Sequence, residues 1–264
     1  MSIPRNFPSS RTLLPLALVA LLAACASPVP GNPERNRFTS SSWADGSLRS
    51  TDQSGWQHQA FPGKTATEFE PTHKLGRHAI VVRSESSASM LRQRVRIEPD
   101  RLGRLRFSWL VPALIPLADM SLRDADDSPV RLILMFEGDR SRFSARDAAL
   151  SELSEVLTGE PLPYATLMYV WSNHGASSPV IINPRTGRIR KLVMESGASK
   201  LGQWLDYERD VRADFKQAFG EVPGALVTIG IMTDTDNTRS VAQAWYGPIA
   251  HLPEVAKPVT ALAD

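Results

Sequence analysis

Short runs of alternating or β-branched residues, each closed by Gly, Pro, Asn or Asp, recur from Trp56 to Ile249. A chain punctuated this way has few options other than stacked antiparallel sheets. The runs are Trp56 to Phe61, Thr67 to Glu70, His78 to Arg83, Ser89 to Ile97, Leu105 to Val111, Val130 to Phe136, Thr166 to Trp171, Pro179 to Ile182 and Arg188 to Met194. Asn183-Pro184-Arg185-Thr186-Gly187 between the last two has hairpin-turn composition.

The stretch from Ala225 to Ile249 adds two more strands and is the centre of the reading. Leu226 to Met232 is apolar in both registers, as in a strand covered on both faces. It ends in Thr233-Asp234-Thr235-Asp236-Asn237-Thr238, and Val241 to Ile249 reads as the returning strand. Two helices interrupt the series. Ser144 caps the first, with Leu150, Leu153, Val156 and Leu157 as its apolar stripe and Gly159 as its stop. The second carries Tyr207, Val211, Phe215 and Ala218 on one face and ends at Gly220. Both are expected to lie as lids against the sheets. With roughly ten or eleven strands at short intervals, the prediction is a mainly β fold: a two-sheet antiparallel β-sandwich of jelly-roll or lectin/carbohydrate-binding-module type, with two short helices.

The amino terminus follows a different logic. Arg5 and Arg11 precede the apolar run Leu13 to Leu22, and Leu22-Ala23-Ala24 stands immediately before Cys25. That is a bacterial lipobox behind a signal peptide. The run is about half of the roughly 20 residues a membrane span needs. Cys25 is the only cysteine, which excludes a disulfide and a Cys-based zinc cluster and leaves lipidation as its expected fate. Ala26 at the next position favours the outer membrane of a Gram-negative cell, with the domain facing the periplasm.

The formal net charge of +2 comes from Arg5 and Arg11; beyond residue 24 the chain carries 28 basic and 28 acidic residues. A neutral domain has no general attraction to nucleic acid, so membrane association is expected through the lipid anchor. The alternating Arg92, Arg94, Arg96, Arg101, Arg104 and Arg106 read as solvent faces of two strands. The expected layout is a signal peptide over 1–24, a Pro- and Ser-rich tether over 25–50, the sandwich over 51–252 and a tail over 253–264.

Function is expected at the acidic loops. Asp119, Asp124, Asp126 and Asp127 crowd one loop ahead of Arg131; Asp234, Asp236 and Asn237 crowd another. Clustered carboxylates need a guanidinium or a cation to offset them, so either Arg123 and Arg131 pair with them or a metal binds, calcium on Asp127, Asp234 and Asp236 being the candidate. Neither loop fits an EF-hand, because Arg239 and Trp245, or Pro129 and Met135, stand where its Gly and Glu belong. Asx turns are the simpler alternative.

Six tryptophans are many for a chain with four tyrosines. Trp109 and Trp171 are expected in the core, although the polar Ser172-Asn173-His174-Gly175 after Trp171 could put its ring at a cleft mouth. Flat rings beside Asp, Asn and Arg suit a sugar, apolar on its face and hydroxylated at its rim, so a glycan or other polar envelope ligand is the expected partner. His174 is the one histidine of the five singled out.

Signatures of common enzymes are missing: no G-x-S-x-G, H-E-x-x-H, G-x-x-x-x-G-K or dinucleotide fingerprint occurs. A glycan-cleaving pair drawn from Asp126, Asp127, Glu208, Asp234 and Asp236 remains open, as does a non-catalytic scaffold; the balance leans away from an enzyme.

Phe61-Pro62-Gly63-Lys64-Thr65, Asp126-Asp127-Ser128-Pro129 with Arg131, Glu208-Arg209-Asp210-Val211 with Asp214, and Ile231 through Thr238 resemble successive blocks of an exported bacterial family known only as a domain of unknown function. Ser128 and Asp210 depart from its pattern, which has an aromatic and an Asn there. The resemblance implies a single exported β-rich domain and implies no activity; Arg209, within its blocks, stands with Glu208 among the candidate residues.

Overall fold

The computed structural model describes residues 55–175 and 178–253. Cys25 and the segments expected as signal peptide and tether, with most of the expected tail, lie outside the described residues. The strands are β1 (Trp56–Ala60), β2 (Glu68–Lys74), β3 (Arg77–Glu85), β4 (Ser89–Ile97), β5 (Arg104–Leu110), β6 (Ser128–Phe136), β7 (Ala165–Ser172), β8 (Val180–Ile182), β9 (Ile189–Ser196), β10 (Trp204–Asp210), β11 (Leu226–Asp234), β12 (Val241–Tyr246) and β13 (Ala250–Leu252). The helices are α1 (Ala145–Thr158) and α2 (Val211–Phe219).

The strands form a two-sheet sandwich. A seven-stranded sheet runs β1-β4-β11-β6-β7-β9-β8; a six-stranded sheet runs β10-β5-β12-β3-β2, with β13 also on β5. Every pairing is antiparallel except β7 with β9. Between the sheets, one apolar cluster takes Leu91, Leu132, Leu134, Tyr169 and Trp171 from the first and Ile80, Val82, Phe107, Trp109 and Tyr246 from the second. Those residues sit at alternate positions, so the intervening side chains of the seven-stranded sheet all point outward onto its other face. That outward set is Met90, Arg92, Arg94 and Arg96 on β4, Arg131, Ile133 and Met135 on β6, Thr166 and Met168 on β7, and Gly230 and Met232 on β11.

Three expectations fail. Tyr207, Glu208 and Arg209 are not helical: Trp204–Asp210 pairs with β5 along its whole length. The helix starts only at Val211, where the Asp210 carboxylate accepts from the Ala213 amide. An Asn could cap it equally well. The stripe of α1 is not a buried lid face either, since Leu153 is 53%, Val156 81% and Leu157 57% exposed. The helix leans on the body through Asp147, Ala148, Leu150, Ser151 and Ser154 instead; Asp147 accepts from Thr186 and Ser154 donates to the Glu160 carbonyl. Its cap is as expected, Ser144 accepting from the Asp147 amide.

Finally, Val241 to Ile249 is not one strand. Gly247 and Pro248 break it, and a Cβ on Gly247 would fall 2.1 Å from Ser108 Oγ. The turn between β11 and β12 is no hairpin: it carries the chain from one sheet to the other, which brings a polar loop to the rim of the sandwich.

Candidate functional site

Both acidic loops sit at that rim. Strand β6 begins where β11 ends, and their ladder changes register between Met232–Arg131 and Asp234–Ser128. The offset places the Asp234 carboxylate over the Arg131 guanidinium: Arg131 Nε donates to Oδ1 at 2.7 Å and Nη2 to Oδ2 at 2.9 Å. Nη2 also reaches Asp126 Oδ1 at 3.0 Å. Lys191, arriving on β9, donates to the same Asp126 oxygen at 2.6 Å and to the Met120 carbonyl at 2.9 Å. Asn183 Nδ2 covers Asp126 Oδ2 at 3.1 Å.

These four charged residues are almost wholly buried: Asp126 is 5%, Arg131 3%, Lys191 0% and Asp234 3% exposed. A buried charge is tolerated only when paired and fully hydrogen-bonded, and alternating signs across the sheet face meet that need. The titration behaviour follows. Burial works against ionised Asp126, but Arg131 and Lys191 outweigh it and hold the carboxyl below its ordinary range. Burial and the neighbouring Arg131 push Lys191 down to about 8. Burial also resists the Arg131 charge, yet Asp234 and Asp126 keep it firmly protonated.

Asp127 does different work. Its Oδ1 accepts from Asn237 N at 3.2 Å and Nδ2 at 3.0 Å; its Oδ2 accepts from Thr238 N at 2.7 Å and Oγ1 at 2.6 Å. A single carboxylate thus clasps the 126–128 bend to the 235–240 crossing. Asp236, beside it, pairs with Lys64 from the loop after β1. Ligand oxygens of Asp127, Asp234 and Asp236 lie within 4.8 Å of one another.

The cluster forms one end of a cleft on the outer face of the seven-stranded sheet, with a volume of about 490 Å³. The floor is apolar and soft: Met90, Ile133, Met135, Met168 and Met232 from four adjacent strands, with Phe61 at the side. Gly230 lies beneath Met90, whose Sδ would be 2.7 Å from a Cβ there. Lys64, Asp236, Asn237, Asn183 and Arg185 rim the polar end. A larger hollow of about 780 Å³ shares Met135 and Pro163 with this cleft and carries Arg92, Arg94 and Arg96.

Of the residues singled out from sequence, Asp126, Asp127, Arg131, Asp234, Asp236 and Asn237 come together here. The others do not. Trp171 is buried among core side chains on the inward face, its indole donating to the Gly197 carbonyl at 3.0 Å. His174 is exposed and does not line the cleft. Glu208 pairs with Arg104 and Arg106 on the six-stranded sheet, and Arg209 with Asp214, whose Oδ2 also accepts from Tyr169 at 2.7 Å. Arg123 makes no pair with the acidic loop: its carbonyl accepts from Arg185 instead. Arg92 is no solvent-face residue, being 9% exposed and paired with Glu160.

Lys191, Lys64 and the methionines were missed. A lysine inside Arg190-Lys191-Leu192-Val193 gives no sign of burial, whereas Met135 and Met168 stand at the outward-facing positions of their strands, a signal that alternation makes available.

No curated protein matches this chain. Among solved structures, the xyloglucanase domain of NopAA, a type three effector from Sinorhizobium fredii in complex with cellobiose, is similar at a TM-score of 0.33 and 9% identity, over 75% of this chain and 96% of that one. Similarity of that degree carries no argument about ligand or reaction. Residues 54–250 match the family described as Protein of unknown function (DUF3047), and the chain, which resembles such a family in its sequence blocks, belongs to it.

Proposed function

We propose that this chain is an envelope lipoprotein whose β-sandwich binds a glycan or comparable polar envelope ligand in the outer-face cleft, without cleaving it. The observation that carries the reading is the cleft itself: an apolar floor of methionines and Phe61 ending in convergent polar groups, the form a small-molecule site takes. A sugar's apolar face would rest on Phe61 and the methionines while Lys64, Asp236, Asn183 and Arg185 meet its hydroxyls. Methionine adapts to irregular apolar shapes, which suits that floor.

Binding is favoured over cleavage because three of the four clustered carboxylates are committed and the fourth, Asp236, pairs with Lys64. Asp126, Asp127 and Asp234 are each held by three or more donors. A general acid or nucleophile needs a carboxyl free to exchange protons or attack. Calcium on Asp127, Asp234 and Asp236 belongs to the same proposal; it would have to compete with the donors on Asp127 and Asp234 and displace Lys64 from Asp236, so calcium should raise the melting temperature of Lys64→Ala more than that of wild type.

The lipid anchor rests on the Leu22-Ala23-Ala24-Cys25 sequence and predicts palmitate labelling that Cys25→Ala abolishes. The ligand reading is tested on a glycan array followed by calorimetric titration. Asp236→Ala should weaken a hit several-fold with the fold intact; an array without a hit, or a hit indifferent to Asp236→Ala, counts against it.

A further inference from the structure

The larger hollow continues the cleft, and its chemistry says something about the ligand. Arg92, Arg94 and Arg96 occupy alternate positions of β4, so they share one face and rise about 6.6 Å apart. Arg140 joins them from across the hollow. Against these four guanidinium groups stand Glu98, Glu137 and Glu160. The pairing is uneven. Glu160 serves two arginines at once, accepting from Arg92 Nη1 and Nη2, both at 2.8 Å, and from Arg94. Arg96 divides itself between Glu98 at 2.7 Å and Glu137 at 3.0 Å. Arg140 donates to a neutral acceptor, the Leu162 carbonyl, at 2.7 Å.

Among them Arg92 is 9% exposed, and its Nε is buried with no hydrogen-bond partner among the described residues. A buried N–H without an acceptor costs about 1–3 kcal/mol, and guanidinium groups are built to take oxyanions through paired donors. One carboxylate spread over two arginines, with a cation in excess and an orphan donor on the buried Arg92, is the arrangement of a site whose own glutamate stands in for a ligand.

We infer that the arginine-lined hollow takes an oxyanion carried by the ligand, a carboxylate or a phosphate, on Arg92, Arg94 and Arg140, with Glu160 as the built-in competitor. The inference rests on the cleft being a ligand groove and narrows the ligand to an acidic one. Ring hydroxyls then sit at the Asp236 end and the anion at the arginine end, with Met135 between them.

The test uses oligogalacturonate, its fully methyl-esterified form as a neutral match, and inorganic phosphate, titrated into the mature domain at low and high salt. Oligogalacturonate should bind wild type about tenfold more tightly than the ester at low salt, with the gap closing as salt screens it. Arg94→Gln, at a half-exposed side chain, should remove that preference, bringing acid and ester to equal affinity. Glu160→Gln should strengthen acid binding several-fold, an effect that a merely structural role for Glu160 would not produce.

Equal binding of acid and ester, or weaker acid binding in Glu160→Gln, overturns the inference while leaving the groove in place. If neither oligomer binds but phosphate does so in an Arg94-dependent way, the oxyanion site stands and the glycan reading falls. Absence of all three responses overturns both.

Discussion

Asp127 is the residue on which the two loops depend, and replacing it has a cost that follows from its contacts. Asp127→Ala removes the acceptor for two backbone amides, one side-chain amide and one hydroxyl. Hydrogen bonds to a buried carboxylate are worth about 1.5–3 kcal/mol each, but Asn237 and Thr238 are half-buried and regain water when the carboxylate goes. Allowing about 1 kcal/mol per bond gives a loss of about 4 kcal/mol.

Asp127→Asn keeps one acceptor for Asn237 and turns an N–H toward the two Thr238 donors, so it should cost about 2–3 kcal/mol. Asp124→Ala, on an exposed residue of the same loop, should stay within about 0.5 kcal/mol. The assay is urea unfolding at pH 7 with the slope on denaturant unchanged. If Asp127→Ala unfolds at the wild-type midpoint, the clasp does not hold the rim together. A catalytic Asp127 predicts the reverse pattern, with stability kept in Asp127→Asn and turnover lost.

Other perturbations probe the rest of the rim. Arg131→Met leaves Asp126 and Asp234 buried beside one remaining cation and should cost about 3–5 kcal/mol, with Arg131→Met/Asp234→Leu costing clearly less than the two single changes together in a double-mutant cycle. Lys191 supplies a pH dependence. Its pKa is about 8 in the folded chain against 10.5 otherwise. Between those values the unfolded chain binds the extra proton, so stability should rise with pH across that window by up to about 3 kcal/mol. Chemical denaturation at pH 7.5 and pH 10 checks this, and Lys191→Met should flatten the slope. On α1, Val156→Lys should change the melting temperature by no more than about a degree, because the side chain is 81% exposed; a large drop would mean the stripe is covered after all.

Much of the architecture was legible because sheet formation leaves a local trace. Alternation located most strands within a residue or two, as with Ser89–Ile97, and turn chemistry marked their ends. The Ser144 and Gly159 caps are local too, and fixed α1 at both ends. What failed was anything decided by a distant partner. Trp204–Asp210 has no strong alternation and becomes a strand only because β5 offers it an edge, so its last residues could be assigned to the helix that follows. Amphipathic spacing in α1 gave the stripe but not the side that faces the body, which side-chain bonds from Asp147 and Ser154 set instead.

The site divides the same way. Crowded carboxylates beside Arg131 announced that charge had to be offset, and Arg131 does part of that work. Lys191 and Lys64, which do the rest, come from segments about 60 residues away on either side of the Asp126 bend, and nothing near them in sequence points there. Trp171 lies in the core as expected, and parity closes its alternative place at a cleft mouth: it stands one position after Val170 and faces inward, so no aromatic platform forms at the cleft from that strand.

Met135 is shared by both halves of the outer-face groove, so Met135→Trp should fill it without touching the core between the sheets. Calorimetric titration of wild type and Met135→Trp with whichever oligosaccharide the array selects therefore tests the central claim most directly. The account predicts binding by wild type and its loss in Met135→Trp at an unchanged melting temperature. Equal affinity in the two proteins would place the ligand elsewhere and contradict it.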